Sequence, residues 1–473
     1  MGRGGQGGRC QDGITPLQLP ADYSLQLCRR IAQWRYEDLP APVVRVARLL
    51  LVDALAVIAG AARAPGIPEL NARLARWEAA GSATGLIGKR RFAPPTAALA
   101  NGAAAHALDY DDIHDAARVH STCVVLPALL ATAEDAGPVS GRDFLLALVV
   151  GSELHARFGL ACHRGLAAGW HPTTVFGGLA ASVAAGRLLG LDPERLRDAL
   201  GLAFHQAGGS IQSAYDGAIS KRLGPGFAAR DAVVSAFLAR DGLSGAREPL
   251  EGKAGFFALH ARGEVKPGLL SDDLGTRWRI EEYAIKPYPA CRCNHPAIGL
   301  AMQLREEGFA PDAIEHVEIR MSEANWKLVG RPYDPSLDSV VHAQFNAAYS
   351  FARALADGQV GPASYERPAI TTPAVVALAQ RVRVVNDPGI APDAMAPVEV
   401  VVALRDGRSV SRVGSTIKGS AQEPMSEREV LDKLRGCLEF GGYPPSAAEQ
   451  ILAAGSSLER ATDAARALVA AFP

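Results

Sequence analysis

Between Asn101 and His120 the chain gathers four aspartates, three histidines and an arginine, where an ordinary surface would mix lysine with glutamate. The stretches on either side, Pro95–Ala107 and Thr122–Glu134, are rich in alanine and read as buried helices. Polar groups wedged between two such helices must be hydrogen-bonded, solvated in a cleft, or both. The chemistry these residue types suit is proton transfer. His120 stands beyond the aspartates at the start of a helix, where the macrodipole disfavours a charged ring and leaves a neutral imidazole able to accept a proton. His114 and His106 read first as structural, with His106 retained as a substrate contact.

Further stretches offer cations. Lys221 and Arg222 follow the polar loop Tyr215–Ser220 and precede a helix expected to begin near Gly226, so an ammonium group and free backbone amides would together clamp a carboxylate. Lys286 ends a predicted strand where Pro287-Tyr288-Pro289 forces a sharp turn, and sites tend to form on such loops. Arg292 is read as a second carboxylate ligand, with Cys291 beside it filling space. His171 precedes a helix with Pro172 at its first position, which makes it either a neighbour of the cap or part of the site.

The rest of the chain must position these groups. Its 473 residues exceed the size at which one core keeps growing, so two domains are expected. Hydrophobic residues at 48% and charged residues at 21% suit a globular enzyme, and a net charge of −1 argues against nucleic acid or an anionic membrane as partner. The apolar runs Phe144–Gly151 and Val175–Ala185 are shorter than the ~20 residues of a membrane span. Met1–Gly13 lacks an apolar signal core, so residues 1–20 read as a flexible tail and the location as cytoplasmic. Only Cys291 and Cys293 of the seven cysteines lie close together, at neither zinc nor iron–sulfur spacing, so no metal and no cofactor is expected.

Apolar residues recur at helical spacing through Val43–Ala62, Arg142–Phe158, Thr173–Leu189 and Ala228–Arg240, which predicts a helical domain over residues 21–266. From 267 to 410 the pattern becomes α+β: Arg277–Ile285, Ile314–Met321, Val382–Asn386 and Val398–Leu404 read as strands, and Asn294–Glu307 and Ser336–Ala356 as helices. Ser426–Cys437, Ser446–Ala454 and Leu458–Ala471 return to helical periodicity, so residues 411–473 are expected to rejoin the first domain. The fold class is mostly α, a discontinuous helical domain with a smaller α+β domain.

The run Asn101-Gly102, His106, Leu108-Asp109-Tyr110-Asp111-Asp112, then His120 and Leu126-Pro127-Ala128-Leu129-Leu130, resembles the MmgE/PrpD family, which contains 2-methylcitrate dehydratase, cis-aconitate decarboxylase and iminodisuccinate epimerase. Four further blocks match in order: Gly169-Trp170-His171-Pro172-Thr173, Ser220–Ala229, Lys286–Arg292 with His295, and Gly419-Ser420 with Pro424-Met425-Ser426. The resemblance implies a helical domain carrying an α+β lid, usually in a homodimer, and places His120, Asp109, Lys221 and Lys286 in the active site. His171 and Tyr349 match residues that reach substrate in relatives. The chain departs from the decarboxylase pattern at Ile113, where those members have threonine, and at Cys291, where they have histidine.

What the resemblance implies is a small di- or tricarboxylate substrate and one hard step, handling charge on a carbon beside a carboxylate. Such a step needs preorganised cations and a placed acid–base group. The expected function is therefore that of a cofactor-independent lyase, dehydrating a 2-methylcitrate-like hydroxy acid. In that reading Lys221, Lys286 and Arg292 hold carboxylates, and His120, oriented by Asp109, moves the proton. Arg222, Tyr349 and His106 complete the substrate contacts, and His171 or Tyr349 serves as acid. The alternatives are an iminodisuccinate-type epimerase, a cis-aconitate decarboxylase and a non-catalytic carboxylate-binding protein.

Overall fold

A computed structural model describes residues 19–78, 80–166 and 169–473, the side chains of 163–166 excepted. The tail expected over residues 1–20 lies, up to residue 18, outside the described residues. Helix accounts for 59% of the structure and strand for 9%, as expected of a mostly α fold.

The larger domain runs through α1 (Tyr23–Ala32), α2 (Ala41–Gly60), α3 (Ile67–Trp77), the hairpin β1 (Ala83–Gly85) and β2 (Arg90–Phe92), α4 (Pro94–His106), β3 (Ile113–His114), α5 (Thr122–Ala136), α6 (Gly141–Leu166), α7 (Pro172–Leu188), α8 (Pro193–Phe204), α9 (Gln212–Tyr215), α10 (Ser220–Arg240), α11 (Phe256–Leu259), α12 (Pro267–Ser271) and β4 (Tyr283–Ala284). The smaller domain contains α13 (His295–Glu306), β5 (Ile314–Met321), α14 (Glu323–Val329), α15 (Val340–Gln344), α16 (Ala347–Asp357), α17 (Arg367–Ile370), α18 (Pro373–Ala379), β6 (Val382–Asn386), β7 (Val398–Leu404) and β8 (Ser409–Gly414). The chain then returns to the first domain as α19 (Glu427–Gly441), α20 (Ala447–Ser457) and α21 (Ala464–Ala471).

Small residues let the helices of the first domain approach closely. A Cβ added at Gly102 of α4 would sit 2.8 Å from the Cα of Gly226 on α10, and one at Gly226 would sit 2.5 Å from the carbonyl oxygen of Leu99. That contact brings the end of α4 and the start of α10 together, and with them His106 and Lys221. Asn101 is structural: its Oδ1 accepts from the N–H of Leu86 (2.8 Å) and its Nδ2 donates to the carbonyl of Thr84 (2.8 Å), which ties β1 to α4. The Gly141–Cys162 segment of α6 is long and apolar enough to cross a membrane, but 94% of its most apolar 18-residue stretch is buried inside the protein.

In the smaller domain the strands lie in the order β6-β5-β7-β8, with β5 parallel to β6 and antiparallel to β7, and β7 antiparallel to β8. Val398, Val400, Val402 and Leu404 alternate inward along β7 and pack with α13 and α16 in a second core. The boundary expected at residue 267 needs correction. Leu270, Leu274, Trp278, Ile280, Tyr283 and Ile285 belong to the larger core, and the second core takes up the chain at Ala290. The reason lies on α6, where Glu153 accepts the N–H of Ile280 (3.0 Å) and Arg157 donates to the carbonyls of Leu269, Asp273 and Arg277. The strand expected over Arg277–Ile285 is accordingly a 3₁₀ turn, Arg279–Glu282, followed by the two residues of β4.

Candidate active site

The aspartate-rich run is held by three local devices. At the end of α4 the chain leaves the helix through Asp109, whose φ of 52° is a left-handed conformation that aspartate tolerates better than most residues. Asp112 then caps α5, accepting the backbone N–H groups of Ser121 (2.9 Å) and Thr122 (3.0 Å) and the hydroxyl of Thr122. Between them, β3 pairs antiparallel with β4 in the register Ile113 opposite Ala284. Continuing that register sets Lys286 across from Asp111, which brings a loop remote in sequence onto the acidic run.

The side chains converge on Asp109. Its Oδ2 accepts from Nζ of Lys221 at 2.7 Å and its Oδ1 from Nζ of Lys286 at 2.6 Å; Lys286 also donates to the carbonyl of Asp109 at 2.8 Å. Nζ of Lys221 lies 2.8 Å from Nε2 of His106, and Nδ1 of His106 lies 2.8 Å from Oδ2 of Asp111. Because the lysine can only donate, His106 accepts at Nε2 and carries its proton on Nδ1 toward Asp111. The ring of His106 is 5.1 Å from that of His120 and 5.9 Å from that of His171.

His120 is oriented differently from expectation. Its Nδ1 lies 2.7 Å from the carbonyl of Asp112, an acceptor, so Nδ1 bears the proton and Nε2 the free lone pair. Oδ2 of Asp111 stands 3.6 Å from the same Nδ1. The orienting groups are thus Asp111 and the Asp112 backbone rather than Asp109, whose carboxylate is engaged by two lysines. Among the described residues no group hydrogen-bonds Nε2 of His120, whose side chain remains 12% exposed in a cluster otherwise close to fully buried.

Burial sets the ring's state. It holds His120 down to about 3, with Lys286 and His106 adding to the effect against the opposing charge of Asp111. The expectation of a neutral imidazole agrees, but desolvation takes the place given to the helix macrodipole. His171 is likewise held well below its ordinary value by burial and Lys221, and His106 is lowered mainly by burial. Burial would raise Asp109, yet Lys221 and Lys286 hold it well below the usual carboxylate range. Burial works against the charge of Lys286 too, and Asp109 and Asp111 nevertheless raise it.

The structure brings together His120, Asp109, Lys221, Lys286, His171 and His106, sets Arg222 near Asp109 without a hydrogen bond to it, and engages Arg292 and Tyr349 elsewhere. Lys221 sits in the first turn of α10, which begins at Ser220 rather than near Gly226, so the clamp expected from free amides at Gly226 is absent. His106 has both ring nitrogens engaged and supports Lys221 instead of meeting substrate. Arg292 is bound to Asp115 through two parallel hydrogen bonds (2.8 and 2.9 Å) and donates to the carbonyl of Lys418 (2.9 Å), contacts that close the loop. Tyr349 donates to the carbonyl of Ser364 (2.6 Å) and packs on Tyr333 and Tyr365 inside the smaller domain. Arg222 donates to the carbonyl of Pro65 (2.8 Å), leaving its buried Nε unpartnered, and burial lowers it to about 10. Cys291 is buried, and the neighbouring Cys293 thiol together with burial holds its own thiol well above the ordinary value.

Two contributions escaped the sequence reading. Lys433 on α19 donates to the carbonyl of Tyr110 (2.9 Å), pairs with Asp53 of α2 (2.6 Å) and lies 4.2 Å from the centre of the Tyr110 ring, while the Tyr110 hydroxyl donates to the carbonyl of Pro287. Gln344 donates to the carbonyls of Leu108 (2.7 Å) and Pro289 (3.1 Å), clasping both loops from the smaller domain. A signal for the first existed: Asp53 is a lone charge in the apolar run Leu49–Ala59, and Lys433 falls between Val430 and Leu434 on an apolar face.

Donor atoms of His106, Asp111 and Cys123 lie within 4.8 Å of one another, close enough to suggest a metal. The set fits a cation poorly. The ammonium of Lys221 is 2.8 Å from the His106 ring, and burial beside Asp111 keeps the Cys123 thiol protonated. Beside His171, Gly224 joins Thr174, Gly209 and Phe227 in lining a cavity of 260 Å³, and a Cβ at Gly224 would come 3.8 Å from Nδ1 of that histidine.

Comparison with known proteins bears on this arrangement. The profile of the MmgE/PrpD N-terminal domain matches residues 25–267 and that of the MmgE/PrpD C-terminal domain residues 288–460. The chain is 32% identical over 443 residues to the cis-aconitate decarboxylase-like protein oryM of Aspergillus oryzae, covering 89% of this chain and 92% of the relative. It is 29% identical over 434 residues to a cis-aconitate decarboxylase of Aspergillus terreus (87% and 88%), and 31% identical over 362 residues to the human cis-aconitate decarboxylase (73% of each).

Proposed function

Because this chain belongs to the MmgE/PrpD family, we propose that it is a lyase acting on a small polycarboxylate, and that its reaction is decarboxylation of cis-aconitate or a close homologue. The observation that carries the reading is the open Nε2 of His120, held by the Nδ1 contact beside a cluster of two lysines on one aspartate. The full-length similarity to proteins named cis-aconitate decarboxylase supports the substrate. In this reading a substrate carboxylate docks beside the Lys221–Asp109–Lys286 cluster, whose two ammonium groups lend it positive charge. One carboxylate leaves as carbon dioxide; its electron pair passes through the double bond, and the carbon at the far end takes a proton carried by His120. The lysines stabilise the charge while it is spread over the remaining carboxylate.

Dehydration of a 2-methylcitrate-like hydroxy acid is the second reading, favoured by the neutral state of His120. An unprotonated ring is ready to remove a proton, whereas decarboxylation requires the ring to acquire one first. Proton NMR and carbon dioxide release with cis-aconitate, and proton NMR with 2-methylcitrate, separate the two. Carbon dioxide from cis-aconitate supports the first; an alkene signal from 2-methylcitrate without carbon dioxide from cis-aconitate supports the second. If neither acid, nor a citrate homologue, is turned over, the proposal fails.

A further inference from the structure

Most fixed charges around the cluster are already paired. Lys221 and Lys286 share Asp109. Arg292 is paired with Asp115, and Lys433 with Asp53. Asp111 and Asp112 stand in the same loop, and Arg222, lying on a carbonyl, is the remaining base near Asp109. Four of the five basic side chains thus face carboxylates, while the ring of His106 lies 5.1 Å from that of His120 and 5.9 Å from that of His171, three rings with no fixed charge of their own. A dianion or trianion entering here meets one fixed cation without a carboxylate partner, Arg222, and so brings more negative charge than that base can match. Burying an uncompensated carboxylate is costly, and each carboxylate within about 4–6 Å of an imidazole favours its charged form by about 10- to 1,000-fold.

We propose that the polycarboxylate binds together with a proton taken from solvent, and that the histidine cluster, rather than a surplus of lysine and arginine, supplies the countercharge. The inference rests on the polycarboxylate reading above and adds how this site accepts that class. The geometry assigns the proton first to His120. Its Nδ1 already points at the Asp112 carbonyl with Oδ2 of Asp111 3.6 Å away, and Oδ1 of Asp111 is buried without a hydrogen-bond partner. A second proton on Nε2 would meet the ligand directly, and Asp111 would stabilise the doubly protonated ring. His106 is less suited, since the ammonium of Lys221 faces its Nε2. His171 is the alternative acceptor within the cluster. The same uptake would give decarboxylation its proton at the right ring.

Isothermal calorimetry with tricarballylate, a saturated tricarboxylate that cannot eliminate or decarboxylate, tests this. Titrations of the full chain are run at mildly alkaline pH, where the free ligand carries all its charges, in buffers of differing ionisation enthalpy. The slope of apparent binding enthalpy against that enthalpy counts protons taken up. Uptake near one per site is expected, with affinity falling up to about tenfold per pH unit as the proton becomes scarcer. His120→Gln or His171→Gln should abolish it in whichever ring holds the proton. Binding without uptake, or uptake unchanged in both variants, overturns the inference and leaves the carboxylate reading standing. Failure of tricarballylate, citrate and cis-aconitate all to bind overturns both.

Discussion

Two buried ionic clusters in this chain are built to different rules. Around Arg157 every donor is engaged: Nε on Glu153, Nη1 on Asp273 and the Leu269 carbonyl, Nη2 on the carbonyls of Asp273 and Arg277. Around Asp109 the cations are lysines, the rings are titratable, and among the described residues Nε2 of His120 and Oδ1 of Asp111 carry no hydrogen bond. The first cluster fastens the segment 269–280 to α6. The second keeps lone pairs available, at the expense of stability, and that is the signature of a place where a ligand completes the bonding.

The contrast is sharpened or broken by substitutions at each cluster. His120→Gln should lower kcat about 10²- to 10⁴-fold with little change in thermal midpoint; a variant with near-normal turnover removes His120 from the chemistry. Arg157→Met should do the reverse, costing about 4 kcal/mol of stability because buried Glu153 loses its cation and Asp273 is left with Arg279. Denaturant titration reads it, and a stable but inactive variant would mean that the two clusters do not divide as described. Lys433→Met falls between them, with about 3 kcal/mol lost and kcat lowered roughly tenfold as the Tyr110 carbonyl comes free; loss of stability alone would reduce Lys433 to a core ion pair.

Acid should tell the clusters apart as well. His120 and His155 are both held at about 3 by burial, below the ordinary histidine value of about 6.5, so the unfolded chain binds more protons between those limits. Their contribution to stability is therefore complete above about pH 6.5 and is lost as pH falls toward 3. Unfolding midpoints across that window should decline, and a flat profile would show the rings to be charged or exposed. The smallest effect is expected at Tyr349→Phe: about 1 kcal/mol from the hydrogen bond to Ser364, and unchanged kcat and KM. A large fall in kcat there would restore Tyr349 to the site.

What could be read in advance follows from the range of the forces involved. Periodicity is local, and the strands β5, β6 and β7 and most helices stand where alternation and helical spacing put them. β8 alternates exposed and half-buried residues, and such an edge strand carries little apolar pattern to read. The expected helix Ser336–Ala356 is two, α15 and α16, because Asn346 caps a new start by accepting the N–H of Tyr349. At the candidate site, residue type and the family resemblance singled out His120, Lys221 and Lys286, and the structure brings the three together around Asp109. Arg292 and Tyr349 were misplaced because their partners, Asp115 and Ser364, come from folding distances that spacing does not encode. Asp109 and Asp111 exchange roles for the same reason: which of two neighbouring carboxylates meets a lysine depends on the left-handed turn at Asp109 and on the pairing of β3 with β4.

The tie between Lys433 and Tyr110 spans 323 residues of sequence. Synthesis at about 5–20 residues per second leaves the acidic loop outside the ribosome for roughly a quarter of a minute to a minute before its clasp is made. Through roughly the first half of that interval the loop's aspartates lack Lys286, and through all of it they lack Lys433, so the nascent protein carries an unfinished, negatively charged centre. A chain released early, however well its first helices pack, is born without a working pocket.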